Sequence, residues 1–175
     1  AAAGWAKWAL DAGAGGVIVP GVDSRAAAER AVAAATFPPA GDRGVAGTTR
    51  ANAYGERFEA ALEAAADRLV VVQLESPAAI EHADDILAVE GVDVAFVGEN
   101  DLSARLGYPG ETDRPAVREA VERVRDLAGE HGVHPGIAGR SPETLAERAE
   151  RGFRFFLLGA DVSLARAGLS PYLLE

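Results

Sequence analysis

The sequence has 175 residues and a formal net charge of −10, and 49% of its residues are apolar. This size and composition allow one sizeable core and exclude a disordered chain. The acidic balance disfavours nucleic-acid binding, which needs a basic face, and the absence of Cys excludes disulfides and thiolate metal sites. No apolar run approaches the roughly 18 residues of a membrane span, and no signal segment is recognisable, so we expect a cytoplasmic protein without membrane contact.

Apolar runs alternate along the chain with Ala-rich helical patterns. No run alternates between apolar and polar residues, as is typical of strands that are covered on both faces. The order of strands and helices predicts an α/β fold with a parallel sheet and right-handed crossovers. No shift in composition divides residues 1–175, so we expect a single domain. The predicted strands are Gly16–Pro20, Leu69–Leu74, Val92–Val97, Pro135–Ala138 and Phe153–Leu158.

Capping residues mark the predicted helix starts. Ser24, Ser76 and Ser141 each precede a helical pattern, and Pro follows the last two at the first helical position. A further helix is predicted over Arg114–Glu130, where apolar residues recur at helical spacing. The predicted helix ends lie at glycines, namely Gly13, Gly132 and Gly152.

The stretch between the first two predicted strands contains a long connection, residues 37–55, with the sequence FPPAGDRGVAGTTRANAYG. Loops of this length are often functional. Arg43 and Arg50 in this loop are candidates for contact with an anion, but we favour surface or loop-packing roles for both. Trp5 and Trp8 lie three residues apart on the opening helix, and we expect them to be packing residues.

Acidic residues follow two of the predicted strands. Glu75 comes directly after the second strand, and Glu99 and Asp101 follow the third. The carboxyl ends of parallel strands share one edge of a sheet, so these carboxylates are expected to converge. Two carboxylates suit Mg²⁺ or Mn²⁺, which takes its remaining ligands from water and substrate. Glu75 and Asp101 also suit helix starts, and the pattern alone leaves both interpretations open.

Other chemistries find less support in the sequence. His82 falls inside a predicted helix, and His131 and His134 precede the fourth strand, at the opposite edge of the sheet, so we expect structural roles for them. Lys7 is the only Lys and lies on the opening helix, which disfavours Schiff-base chemistry. No Gly-rich stretch has the spacing of a dinucleotide or phosphate-binding loop.

The segments VVVQLES at 70–76 and GVDVAFVGENDLSARLGYPG at 91–110 resemble the HpcH/HpaI aldolase family of metal-dependent pyruvate aldolases. The resemblance continues through ALDAGAGGVIVP at 9–20, FPPAGDRGV at 37–45 and LLGADVSLARA at 157–167, and so covers the whole chain. It implies a (β/α)8 TIM-barrel fold, of which this chain holds about the last five βα units. It also implies a homo-oligomer, a hexamer in the family.

The resemblance assigns roles to individual residues. Glu75 and Asp101 match the two acids that bind the divalent cation, Mg²⁺ or Mn²⁺, with Co²⁺ as a further option. Gln73 matches a residue beside the bound keto acid, and the backbone N–H groups of Asn100 and Asp101 match donors to its carboxylate. Asp11 matches an acid that pairs with the catalytic His. The implied reaction is class II aldol cleavage or formation of a 4-hydroxy-2-keto acid, with pyruvate and an aldehyde as partners.

The chain also departs from the family pattern. The family's His after its second strand and Arg after its third have no counterpart here, so we expect this chain to lack the N-terminal third of the barrel. Glu99 stands where the family commonly has Pro, which adds a negative charge near the metal. Two alternatives therefore stay open: a CoA-ester lyase of the citrate-lyase beta type, and a non-catalytic remnant that binds metal or keto acid.

A five-stranded sheet leaves two open edges, which favour association between chains. We therefore expect the isolated chain to be unstable or oligomeric. A monodisperse monomer in sedimentation velocity that also melts cooperatively would contradict this expectation.

Overall fold

The computed structural model of the chain describes residues 2–139 and 141–172, which form a curled half-barrel of parallel strands. The strands lie side by side in chain order, and each neighbouring pair is parallel. This arrangement confirms the predicted α/β fold of five successive βα units. The strands are β1 (Gly16–Val19), β2 (Leu69–Leu74), β3 (Val94–Val97), β4 (His134–Gly139) and β5 (Phe155–Leu158).

Helices connect the strands, and the three helices with predicted serine caps begin where the sequence predicts. The side chains of Ser24, Ser76 and Ser141 each accept a hydrogen bond from a backbone N–H in the first turn of the helix that follows. No helix in the described ranges has both the length and the hydropathy to cross a bilayer. The helices are α1 (Ala2–Asp11), α2 (Arg25–Ala35), α3 (Phe58–Glu63), α4 (Pro77–Glu81), α5 (Ala83–Leu87), α6 (Glu99–Arg105), α7 (Pro115–Glu130), α8 (Pro142–Glu150) and α9 (Asp161–Leu169). Short 3-10 helices span Arg50–Gly55, Ala64–Asp67 and Ser170–Tyr172.

The two faces of the sheet bury different sets of side chains, because successive residues of a strand point to opposite faces. Val72 and Leu74 of β2 belong to the main core, which they share with Val97 and with residues of α5 and α7. Val71 belongs to a smaller cluster on the other face, with Val94 and Phe96. Gln73 and Glu75 continue the alternation from Val71, and therefore point to this concave face of the half-barrel.

The long connection lies at the amino edge of the sheet, because it follows α2 and leads into β2. Arg43 within it is buried, donates to Asp11 at 2.7 Å and stacks on the ring of Phe37 at 4.4 Å. The side chain of Asn52 bonds to four backbone groups between residues 46 and 55 and holds the loop together. The expected packing role of Arg43 is confirmed, and the loop lies away from the strand ends that carry Glu75 and Asp101.

The prediction that Trp5 and Trp8 are packing residues is wrong for this chain. Their side chains are 73% and 67% exposed, and their rings contact each other edge to face at a centroid distance of 6.1 Å. Together with β1 they line an open apolar groove of about 510 Å³. Helical spacing shows that the two residues share a face, but it cannot show whether the same chain covers that face.

Two leucines of β2 test the assignment of the faces. Leu74 is fully buried (0% exposed), whereas Leu69 is 42% exposed. We expect Leu74→Ala to lower the free energy of unfolding by about 2–5 kcal/mol, because it leaves a cavity in the core. Leu69→Ala, the same change on the same strand, should lower it by less than about 1 kcal/mol. Urea denaturation of both variants measures the difference, and equal losses would show that the faces are assigned wrongly.

Candidate metal-binding site

The pairing of β2 with β3 places Glu75 beside the turn that begins α6. Leu74 and Val97 are paired in register, and the N–H of Gly98 donates to the carbonyl of Leu74 at 3.1 Å. Glu75 and Gly98, the next residues along the two strands, are therefore neighbours at the carboxyl edge. The geometry confirms the convergence of strand ends that the sequence predicts.

The carboxylate of Glu75 is held inside the structure and is only 6% exposed. Its Oε1 accepts a hydrogen bond from the backbone N–H of Gly21, 3.0 Å away, just after β1. Its Oε2 accepts from Nε2 of Gln73, two residues earlier on β2. A backbone group from one strand end and a side chain from another thus fix the orientation of this carboxylate.

Gly98 leaves the room that Glu75 occupies. A Cβ at this position would lie 2.9 Å from Oε2 and from Cβ of Glu75, and 2.8 Å from Nε2 of Gln73. These separations are shorter than ordinary van der Waals contact. Gly98 has a φ of −84°, which other residues adopt readily, so the requirement for glycine here is one of space.

Asp101 lies in the first turn of α6 and is exposed. Burial raises the pKa of Glu75, and the negative charge of Asp101 raises it further. The hydrogen bonds from Gly21 and Gln73 and the positive charge of Arg105 offset only part of this effect. A divalent cation beside Glu75 would offset the burial and the repulsion that disfavour the ionised form of this carboxyl.

The guanidinium of Arg148 neutralises the charge of Glu99, so Glu99 does not add the negative charge near the metal that the sequence predicts. Arg148 of α8 forms a two-pronged ion pair with it, with both N–O distances at 2.9 Å. Arg148 also donates to the carbonyl of Ala138, near the end of β4. The sequence gives no direct signal for this partner, because 49 positions separate the two residues.

The structure brings Gln73, Glu75, Asn100 and Asp101 to one edge, but it does not bring Asp11 there. Asp11 ends α1, before β1 begins, and so lies at the amino edge of the sheet. Burial by itself raises the pKa of Asp11, but hydrogen bonds from Lys7 and Arg43, together with their positive charges, outweigh it and lower the pKa. Within this chain Asp11 belongs to an ion-pair network, and a catalytic role for it stays a prediction.

The predicted structural residues lie away from the carboxyl edge. His82 separates α4 from α5, His131 contacts Asp84 at 2.6 Å, and His134 begins β4 at the amino edge. Lys7 pairs with Asp11. These placements agree with the structural roles expected from the sequence.

The donor set at the carboxyl edge fits a hard divalent cation with an incomplete protein shell. Mg²⁺ accepts one or two carboxylates and keeps water or substrate oxygens at its other positions. In the part of the chain that the structure describes, no group of three or more His, Cys, Asp or Glu side chains forms a closed metal cage. Glu75 and Asp101 offer two carboxylates, a number that such a cation accepts from protein.

Two residues that contribute hydrogen bonds near the site are not predicted from the sequence. Gly21 supplies its backbone N–H to Glu75, and the only signal for it is a Pro-Gly turn after the first strand. Asp23 accepts a hydrogen bond from the hydroxyl of Ser76 at 2.5 Å, which ties the turn after β1 to the turn after β2. Both contacts span more than 50 positions, so only the folded sheet reveals them.

A family model described as HpcH/HpaI aldolase/citrate lyase matches residues 2–167. The chain is 39% identical over 160 residues to the hydroxypyruvate/pyruvate aldolase of Sagittula stellata. It is 34% identical over 161 residues to the 5-keto-4-deoxy-D-glucarate aldolase of Shigella boydii. These alignments cover 91% and 92% of this chain, and the chain spans 63% of the length of each relative.

Solved structures agree with this comparison. An HpcH/HpaI aldolase/citrate lyase family protein from Burkholderia cenocepacia superposes with a TM-score of 0.89 at 37% identity. An HpcH/HpaI aldolase from Desulfitobacterium hafniense superposes with a TM-score of 0.85 at 32% identity. Each superposition covers 97% of this chain, and 68% and 66% of the respective solved chains. The family description includes both aldolases and citrate lyases, so it does not separate these two activities.

The raised pKa of Glu75 predicts a specific pH dependence of stability in the absence of metal. The folded state binds this proton more tightly than the unfolded state, so folding becomes less favourable as the pH rises from the ordinary pKa of Glu through the raised one. Glu75→Gln removes this loss, so wild type should lose stability relative to the variant as the pH rises.

Urea midpoints of both proteins between about pH 4 and about pH 8 in excess chelator measure this difference. Asp101→Asn, which removes the second cause of the shift, should reduce it in part. A wild type that gains stability relative to Glu75→Gln as the pH rises would contradict the assigned environment.

Proposed function

Because the chain belongs to the HpcH/HpaI aldolase/citrate lyase family, we propose that it carries the metal-binding half of the active site of a divalent-metal-dependent aldolase. The proposed reaction cleaves a 4-hydroxy-2-keto acid to pyruvate and an aldehyde, or forms it from them. The buried carboxylate of Glu75 beside Asp101 is the observation that carries the proposal, because a pair of this kind gains from a bound cation. The names of the two curated relatives, both aldolases, support the reaction class.

Each residue at the edge has a proposed task. Glu75 and Asp101 would hold Mg²⁺ or Mn²⁺, and the cation would supply Lewis-acid polarisation of the substrate's keto oxygen. Gln73 keeps the Glu75 carboxylate oriented through its hydrogen bond and lies on the concave face, beside the proposed keto-acid position. The backbone N–H groups of Asn100 and Asp101 are the proposed donors to the carboxylate of pyruvate.

Proton transfer requires a group that this edge does not supply. In the described part of the chain no His lies at the carboxyl edge, and the ion pair to Arg148 occupies Glu99. We propose that the base comes from a segment or subunit other than residues 2–139 and 141–172. The lack of a His at this edge, in the described part of the chain, also favours a second candidate function, in which the chain binds metal and keto acid without turnover.

The test compares pyruvate release from a 4-hydroxy-2-keto acid in the presence of Mn²⁺ or Mg²⁺. The enzyme is the longest gene product that contains this chain. We expect Glu75→Gln and Asp101→Asn each to lower kcat/KM by more than about 100-fold, because substitution of outer residues around a metal already costs about 10–100-fold. Glu147→Gln on α8, which removes an acid that is paired with Arg151, is the matched control and should leave the rate unchanged.

The outcomes separate the candidates. Pyruvate release that depends on both acids supports the aldolase. Calorimetric binding of Mn²⁺ and pyruvate without turnover supports the binding protein. Turnover of a citryl-CoA-type ester in place of the hydroxy-keto acid supports the citrate-lyase type. Activity that persists in both acid variants would contradict the proposed metal site.

A further inference from the structure

Glu99 and Asp101 lie on opposite sides of the first turn of α6. Successive residues of an α-helix are about 100° apart, so two residues that are two positions apart face away from each other. Gly98, the N-cap of this turn, lies beside Glu75, and Asp101 comes three positions later, on the same side of the helix as Gly98. Glu99 points to the other neighbour of the helix, where Arg148 meets it. The same turn therefore carries one acid toward the proposed cation and one acid away from it.

Arg148 joins three elements through this contact. Its two terminal nitrogens bind the two carboxylate oxygens of Glu99, and one of them also binds the carbonyl of Ala138 at the end of β4. The side chains are 17% and 10% exposed, so solvent screens their attraction weakly. A two-pronged arginine–carboxylate pair fixes orientation as well as distance.

The N-cap of α6 contributes no side-chain restraint to the first turn. This N-cap is Gly98, which has no side chain to cap the helix and must remain small to leave room for Glu75. Leu102 and Ser103 are fully buried and anchor the second half of the helix. The pair with Arg148 restrains the side chain of Glu99, the residue that begins the helix.

We infer that the Arg148–Glu99 pair is a positioning device that holds the first turn of α6, and with it Asp101, in place opposite Glu75. The inference rests on the proposed function, because it assigns the placement of Asp101 a role in cation binding. It also explains why an acid is accommodated at position 99: the acid anchors the turn and adds no net charge to the site.

Positioning and charge alone predict opposite effects of Arg148→Gln on the affinity for a cation. If charge alone mattered, removal of a positive charge near the site would tighten binding of a cation. Positioning predicts weaker Mn²⁺ binding, by about 10–100-fold in Kd as for other residues that orient metal ligands. Arg148→Lys keeps the charge but loses the two-pronged geometry, so it should also bind Mn²⁺ more weakly than wild type.

Calorimetric titration with Mn²⁺ on the longest gene product that contains this chain measures these constants. Arg151→Gln is the matched control, because Arg151 follows the same helix and pairs with Glu147 and Glu122. It should leave the Kd within about twofold of wild type. The double variant Glu99→Gln/Arg148→Gln should bind Mn²⁺ no more weakly than the weaker of the single variants Glu99→Gln and Arg148→Gln. Mn²⁺ binding to Arg148→Gln that equals or exceeds wild type would overturn the inference.

A second measurement does not require metal. Amide hydrogen exchange in chelator should become faster at residues 102–104 in Arg148→Gln, and should not change there in Arg151→Gln. If wild type fails to bind Mn²⁺, the proposed function fails, while the exchange data still decide the positioning role. Equal exchange in Arg148→Gln and wild type would overturn it.

Discussion

The close approach of Glu75 to Gly98 is the constraint on which the rest of the site depends. The register between β2 and β3 places the two residues side by side, and the absence of a side chain at position 98 leaves the carboxylate its space. The same approach brings the start of α6, which carries Asp101, to the strand end. A shift of one residue in this register would turn Glu75 to the opposite face and separate the acids.

This arrangement is unfavourable for the folded state without metal. A buried carboxylate with a second carboxylate nearby is disfavoured by desolvation and by repulsion, and its hydrogen bonds offset only part of that. Structural ion pairs elsewhere in the chain show the opposite pattern. Asp11 is held ionised by Lys7 and Arg43, and Glu99 is bound by Arg148. The contrast distinguishes Glu75, whose environment disfavours its ionised form, from carboxylates that are held in ion pairs.

Local sequence signals predict much of this structure. Apolar runs locate the five strands to within about two residues, capping serines locate the starts of three helices, and parallel topology then converges Glu75 and Asp101. Contacts that span many positions are not visible in such signals. The bond from Gly21 to Glu75, the pair of Arg148 with Glu99 and the burial of Arg43 all depend on which helices and loops meet in space.

We propose that Glu75 and Asp101 together hold a divalent cation. Crystals of the longest gene product that contains this chain, grown with Mn²⁺, test it most directly through the anomalous signal of the metal. We expect one peak within about 2.0–2.3 Å of a carboxylate oxygen of both residues, with water or keto acid at the remaining positions. A protein that crystallises with Mn²⁺ bound elsewhere, or with Glu75 still bonded only to Gly21 and Gln73, would contradict it.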